Sequence, residues 1–349
     1  METPGFPDSS RVAETPGAPE TPGSPDSSRA PEAPGAPEAL GAPEAPGSPG
    51  SSRVPESPRV SDAPGTPGAS AALDLSRILA GRAPVPRVTT PHAEPYAAAV
   101  SALQALLAEA DAQEGSWHTP VIHDWSVQDT VAHLIAADEH LAAHLGLPPA
   151  GAPAPAEPPE DTRWRAAWAG RTQAVITRER GRAPQQTMAS WRAQATALLG
   201  TEAARDPELA ARATTLLGLR LPVADHFLIR AFETWIHADD IGRALRHPVP
   251  PPPAAHLWRL VRLAVRMLGL ALGPEAPPVA LTVTDDTHST EWILGSEDEP
   301  VRGELALEAV DFCLLVGGRA AADTVPRGTG GDARTVQDVL DRAARLAWL

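Results

Sequence analysis

Glu233 and His237 stand four residues apart in the segment FETWIHADD. On a helix, side chains at i and i+4 lie one above the other. A carboxylate and an imidazole so placed can reach one divalent ion at roughly 2.0–2.2 Å. A Glu-x-x-x-His pair occurs by chance on many helices, so its neighbours decide its weight. At 100° per residue, His226, Arg230, Glu233, His237 and Asp240 form one narrow stripe. Ile229 and Ile236 border it on one side, and Phe227, Ile241 and Leu245 on the other. The opposite face carries Ala231, Ala238, Asp239, Gly242 and Arg246, the composition that water normally sees. The polar stripe is therefore expected to point inward.

Buried ionisable groups need partners, because an isolated buried charge costs several kcal/mol or neutralises itself. A metal ion is one solution; a Glu, His and Arg network with no ion is the other. A third ligand must come from a different helix. His133 in WSVQDTVAHL flanks that segment's apolar stripe, with His140 and His144 further along its polar side. Two His and one carboxylate leave a coordination position open, which suits a catalytic zinc better than a structural one.

The elements that must position these residues are mostly helices. AEPYAAAVSALQALLAEADAQ (93–113) has helical apolar spacing in an Ala-rich run. In the next segment Ser126 can cap a helix with Asp129 three residues on, and Gly146 with Pro148 stops it. Its stripe is Val127, Val131, Leu134, Leu141 and Leu145. A Pro/Ala-rich loop (148–159) follows, then helical segments near 161–180 and 187–217, and a long helix from Val223 to Leu245. After the prolines of 248–253 a helix (255–272) leads to the strand-like runs PPVALTVTD and HSTEWILG, and a final helix begins at TVQDVL. The chain thus reads as mainly α: a helical bundle over 73–247, a smaller α+β domain over 255–349, and a tail over 1–72.

That tail holds sixteen of the forty prolines within its first 70 residues, with no Trp or Tyr and one Phe. It cannot bury enough apolar surface to fold, so disorder is expected. Every Pro there falls in one phase of a three-residue repeat, and every Gly and charged residue in the next, a pattern that suits an extended polyproline II ridge. The formal net charge of -15 argues against nucleic acid or an anionic membrane as partner. A single cysteine, Cys313, excludes an internal disulfide framework and a multi-Cys zinc site. The N-terminus has no basic region followed by an apolar run, so a cytoplasmic protein with small-molecule partners is expected.

The pair WSVQDTVAHL and RAFETWIHADDIGRAL, with the later LTVTDD, Trp292 and LLVGGR, resembles the mycothiol-dependent maleylpyruvate isomerase family of actinobacteria over about residues 73–349. The resemblance implies a DinB-like four-helix metal-binding bundle joined to a smaller sterol-carrier-like domain. It implies His133, Glu233 and His237 as metal ligands, with zinc or another divalent ion binding and deprotonating the thiol of mycothiol. In such an isomerase the thiolate adds to a cis double bond conjugated to carbonyls, the resulting single bond rotates, and elimination returns the trans product. A thiol transferase, a zinc-dependent hydrolase or a non-catalytic binding module on the same fold are the alternatives.

Three further residues are candidates for catalysis. Arg230 could clamp a substrate carboxylate or neutralise Glu233. Asp240 could orient His237 or pair with Arg243. Arg319 in VGGR is the smaller domain's candidate for an anionic substrate, or a stabiliser of its own turn. Cys313, in the apolar run DFCLLV, reads as core, and His123, His140, His144, His226, His247 and His288 as surface or loop residues.

Overall fold

The structure is a computed structural model and describes residues 85–148 and 164–346. The tail expected over 1–72 lies outside these residues, as does all but the first residue of the loop expected over 148–159.

Helix α1 (Glu94–Asp111) starts with Pro95 in its first turn, where no backbone donor is lost. It buries Tyr96, Val100, Leu103 and Leu107. A short hairpin follows, β1 (Pro120–Ile122) against β2 (Trp125–Ser126). Its turn residues His123 and Asp124 both have left-handed backbone, at φ 53° and 61°, matching the twist a tight hairpin needs. Helix α2 (Val127–His144) then begins with the expected capping box: Asp129 N donates to Ser126 Oγ, and Ser126 N donates to the Asp129 carboxylate. It packs against α3 (Trp164–Arg180) and α4 (Pro184–Gly200), and nearly all its faces are buried.

The helix expected over 187–217 is only partly present. It ends at Gly200, and after the one-turn α5 (Pro207–Ala210) the chain forms a hairpin of β3 (Ala213–Leu216) and β4 (Leu219–Pro222). The longer helix ends as Thr201 turns to extended backbone, Asp206 caps α5 ahead of Pro207, and Leu217 and Gly218 make the turn at positive φ. The β-branched pair Thr214 and Thr215 and the turn glycine carried the strand signal that the apolar run masked.

Helix α6 (Val223–Leu245) packs most extensively against α1. Its polar stripe is inward as expected, since His226, Arg230, Glu233, His237 and Asp240 are all buried. The opposite face departs from expectation: Ala231, Ala238 and Gly242 are buried as well. Their small size admits a close neighbour in place of water. A Cβ on Gly242 would meet the His247 carbonyl oxygen at 2.6 Å and a Val249 methyl at 2.7 Å, so the proline strap lies directly on the helix.

Helix α7 (Ala254–Leu272) leads to β5 (Val279–Thr284), β6 (Ser289–Leu294), β7 (Gly303–Glu308), α8 (Ala309–Val316), β8 (Gly328–Gly331) and α9 (Ala333–Ala344). The sheet order is β6-β5-β7-β8, with β5 and β7 parallel and the other pairs antiparallel. Val279, Leu281, Val283, Leu305 and Leu307 alternate onto the buried face. Strand β8, GTGG, has low β propensity apart from Thr329 and is held in place by its pairing with β7. The chain is thus mainly helical with a smaller C-terminal sheet region. Among the described residues no helix is long and apolar enough to cross a membrane.

Candidate functional site

The inward stripe of α6 meets α2 at His133. The His133 Nε2 lies 3.7 Å from Glu233 Oε1, and the rings of His133 and His237 lie 4.9 Å apart, edge to face. Glu233 Oε2 is 2.5 Å from Arg230 Nη1, yet neither atom has an aligned hydrogen bond. Burial pushes the Glu233 carboxyl up, but Arg230, His133 and His237 outweigh it and hold it down at about 2. At neutral pH it is a carboxylate.

His237 is positioned from the other side. Its Nδ1 lies 3.1 Å from Asp240 Oδ2, and Asp240 in turn accepts from Arg319 Nη2 at 2.6 Å. Arg319 comes from the turn after α8, where its Nη1 also donates to the Gly317 carbonyl at 2.5 Å. It therefore braces its own turn and reaches across to α6. Arg319 Nη2 is 3.4 Å from His237 Nδ1, further than Asp240, so we assign Nδ1 as the protonated nitrogen that donates to Asp240. That tautomer leaves the Nε2 lone pair free, and Nε2 is buried with no hydrogen-bond partner among the described residues. Burial pushes the imidazole down to about 4 in spite of Asp240, so it is neutral at pH 7. Burial also opposes ionisation of Asp240, but His237 and Arg319 prevail and its pKa lies below the usual value.

Packing holds His133 in place. The Trp125 ring lies 4.9 Å from it and the Trp168 ring 5.8 Å, and its Nδ1 has no hydrogen-bond partner among the described residues. His140, two turns along α2, lies 5.7 Å from Trp168. It and His226 are largely buried and pushed down to about 4 by that burial, so neither is the surface histidine the sequence suggests. Arg243 pairs with Asp239 at 2.7 Å, which leaves Asp240 to His237 and Arg319. Cys313 is fully buried, with its thiol pushed far up by burial.

Sequence reasoning missed Tyr96, Asp138, Trp125 and Trp168. The Tyr96 hydroxyl donates to Asp138 Oδ2 at 2.7 Å, and burial pushes the Asp138 carboxyl up to about 7. A signal was present, because Asp138 continues the apolar spacing Val131, Leu134, Leu141 and so occupies a core place. The indoles left no such signal, since their approach to His133 depends on the hairpin and on α3.

The donors suit a divalent ion of zinc's kind: two neutral-capable imidazoles and one carboxylate, two of whose buried nitrogens are unpartnered. As placed, no three His, Cys, Asp or Glu side chains among the described residues form a ready metal cluster, and Arg230 holds the carboxylate.

Residues 96–242 match the family model described as the mycothiol maleylpyruvate isomerase N-terminal domain. That span includes His133, Arg230, Glu233, His237 and Asp240 and leaves Arg319 outside. Two solved structures are similar: the mycothiol-dependent maleylpyruvate isomerase, at 16% identity and TM-score 0.42, and a histidine-to-alanine mutant of that isomerase, at 16% and 0.43. In each case 69% of this chain and 95% of the other are covered. No curated protein matches the chain.

Proposed function

From the match of residues 96–242 to the model of the mycothiol maleylpyruvate isomerase N-terminal domain, we propose that the chain is a metal-dependent cytoplasmic enzyme that uses mycothiol. Its reaction is of the maleylpyruvate cis-trans isomerase or thiol-transferase type. The observation that carries the metal reading is the buried Nε2 of His237, without a partner among the described residues, on a ring 4.9 Å from that of His133, whose own Nε2 lies 3.7 Å from the Glu233 carboxylate. His133, Glu233 and His237 would hold the ion, zinc by preference. Bound zinc would lower the pKa of a coordinated thiol, making a thiolate available at neutral pH.

The protein's own side chains prepare for this. Asp240 accepts the Nδ1 proton of His237 and so turns the ring's lone pair inward, as carboxylates behind metal-binding histidines do. Arg319 fixes Asp240 and ties the C-terminal region to the bundle. Arg230 supplies a permanent positive charge at the wall, suited to a substrate carboxylate once Glu233 has another partner. Trp125 and Trp168 shield His133 from water. Buried Cys313 is no nucleophile, so the thiol would come from solution.

The Arg230 and Glu233 ion pair favours a second reading, in which the trio is a polar network without an ion and the chain is a binding module. One pair of measurements separates the two: zinc bound by wild type and by His237→Ala, and isomerisation of maleylpyruvate with mycothiol. We expect stoichiometric zinc and activity in the wild type and loss of both in the variant. Full zinc occupancy in His237→Ala would refute the ligand assignment.

A further inference from the structure

The back of α6 borders a space that its own side chains leave open. Ala231, Trp235 and Ala238 lie roughly 140–200° around the helix from Glu233, on the side away from the polar stripe. Together with Ala98 and Ala102 of α1 and the proline strap 250–253 they line a cavity of about 130 Å³. Ala231, Trp235 and Ala238 are buried, whereas Ala102 and Pro251 are exposed, so the cavity has a floor in the core and a rim in solvent. None of His133, Glu233 and His237 lines it.

Native interiors leave few voids larger than a water molecule, and an unfilled one deprives its wall of contacts. Here the four alanines leave the volume, and the rigid proline rings span it. Water is a poor occupant, because an ordered water needs two to four polar partners. An apolar cavity of about 150 Å³ engineered in another protein stays dry and takes up benzene. One aromatic ring is therefore the matching size, and the Trp235 indole offers it a face or an edge.

Among the described residues that line the cavity, only Trp235 and His256 carry a polar side-chain atom. His256 Nε2 lies 3.6 Å from the Glu94 carboxylate, which favours the proton on that nitrogen. Nδ1 is then an acceptor, and it is buried with no hydrogen-bond partner among the described residues. An acceptor left unpaired in a buried place is offset best by a ligand that brings one donor.

We infer that this cavity is a second binding site, for a monocyclic phenol whose ring fills the apolar space against Trp235 and whose hydroxyl donates to His256 Nδ1.

The test uses phenol and toluene, which share the ring and differ in the donor. Calorimetric titration of the metal-free full chain measures both, so the result does not depend on whether His133, Glu233 and His237 hold an ion. Wild type should bind both probes saturably. Ala98→Leu fills the space and should abolish both; Ala102→Leu, at the exposed rim, serves if the first variant does not fold. His256→Leu should weaken phenol roughly fivefold, the loss of one hydrogen bond, and leave toluene within about twofold. Absence of saturable binding in wild type, or binding retained by a folded Ala98→Leu or Ala102→Leu, overturns the site. Loss of both probes alike in His256→Leu, or of neither, overturns the phenol assignment.

Discussion

The two ends of the buried polar wall are built differently. At one end His237, Asp240 and Arg319 form a chain of hydrogen bonds anchored on a backbone carbonyl, and His237 Nε2 alone is left open. At the other end His133, Glu233 and Arg230 are crowded but badly aligned, with unpartnered atoms on all three. The first end is oriented by hydrogen bonds, and the second is held by net charge and by the packing of two indoles. Damage to the first should misdirect a ring. Damage to the second should strand a charge.

The sharpest break of that contrast is Glu233→Ala. It leaves Arg230 buried without its partner, for which about 3–5 kcal/mol of stability is lost in comparable cases. Urea unfolding of the metal-free protein measures it. The Glu233 carboxyl is held down at about 2, so the pair's contribution is present above the ordinary carboxylate pKa and is lost as pH falls through about 2. The gap between wild type and variant should therefore be full at pH 7 and narrow in acid. A penalty under about 1 kcal/mol at pH 7 would mean that Arg230 finds water or another anion, and that the second end is not charge-held.

These ends were unequally legible in the sequence. The α6 stripe is a property of one helix, so a wheel could find His226, Arg230, Glu233, His237 and Asp240 and assign them a direction. The same wheel failed on the opposite face, because Ala231, Ala238 and Gly242 serve close packing as well as they serve water. His133 stood out only through the motif around it. Arg319 belonged to a turn whose reach to Asp240 depends on the fold of the whole C-terminal region. Asp138 was hidden for a different reason: a carboxyl on an apolar stripe looks like an interruption of the stripe, until Tyr96 of α1 is seen to meet it. Residues that act within one helix could be read off a wheel, whereas the partners of those that act between elements, such as His133 and Arg319, needed the surrounding motif or the fold.

Asp240→Asn sharpens the comparison with an intermediate effect. The amide can no longer fix the Nδ1–H tautomer of His237 as a carboxylate does, and Arg319 loses its counter-ion. Zinc affinity should fall about 10–100-fold, as it does when a carboxylate behind a metal-binding histidine is removed. Stability should fall less than in Glu233→Ala, because Arg319 keeps its bond to the Gly317 carbonyl. Competition with a chelator of known affinity reads the first effect and urea unfolding the second. A stability loss as large as that of Glu233→Ala would erase the distinction between the two ends.

The smallest expected effect comes one residue earlier. Asp239 is rotated about 100° around the helix from Asp240 and pairs with Arg243, whose side chain is 59% exposed. Such a pair contributes about 0–1 kcal/mol, and burial already opposes ionisation of Asp239, raising its pKa. Asp239→Asn should change zinc affinity and unfolding free energy only slightly, with relief of that raised carboxyl offsetting the lost pair. Since Asp239 and Asp240 add the same formal charge to the same turn, their substitution isolates orientation from electrostatics. If both variants weakened zinc equally, the general negative potential of this turn, and not the bond to His237 Nδ1, would be what prepares the first end of the wall.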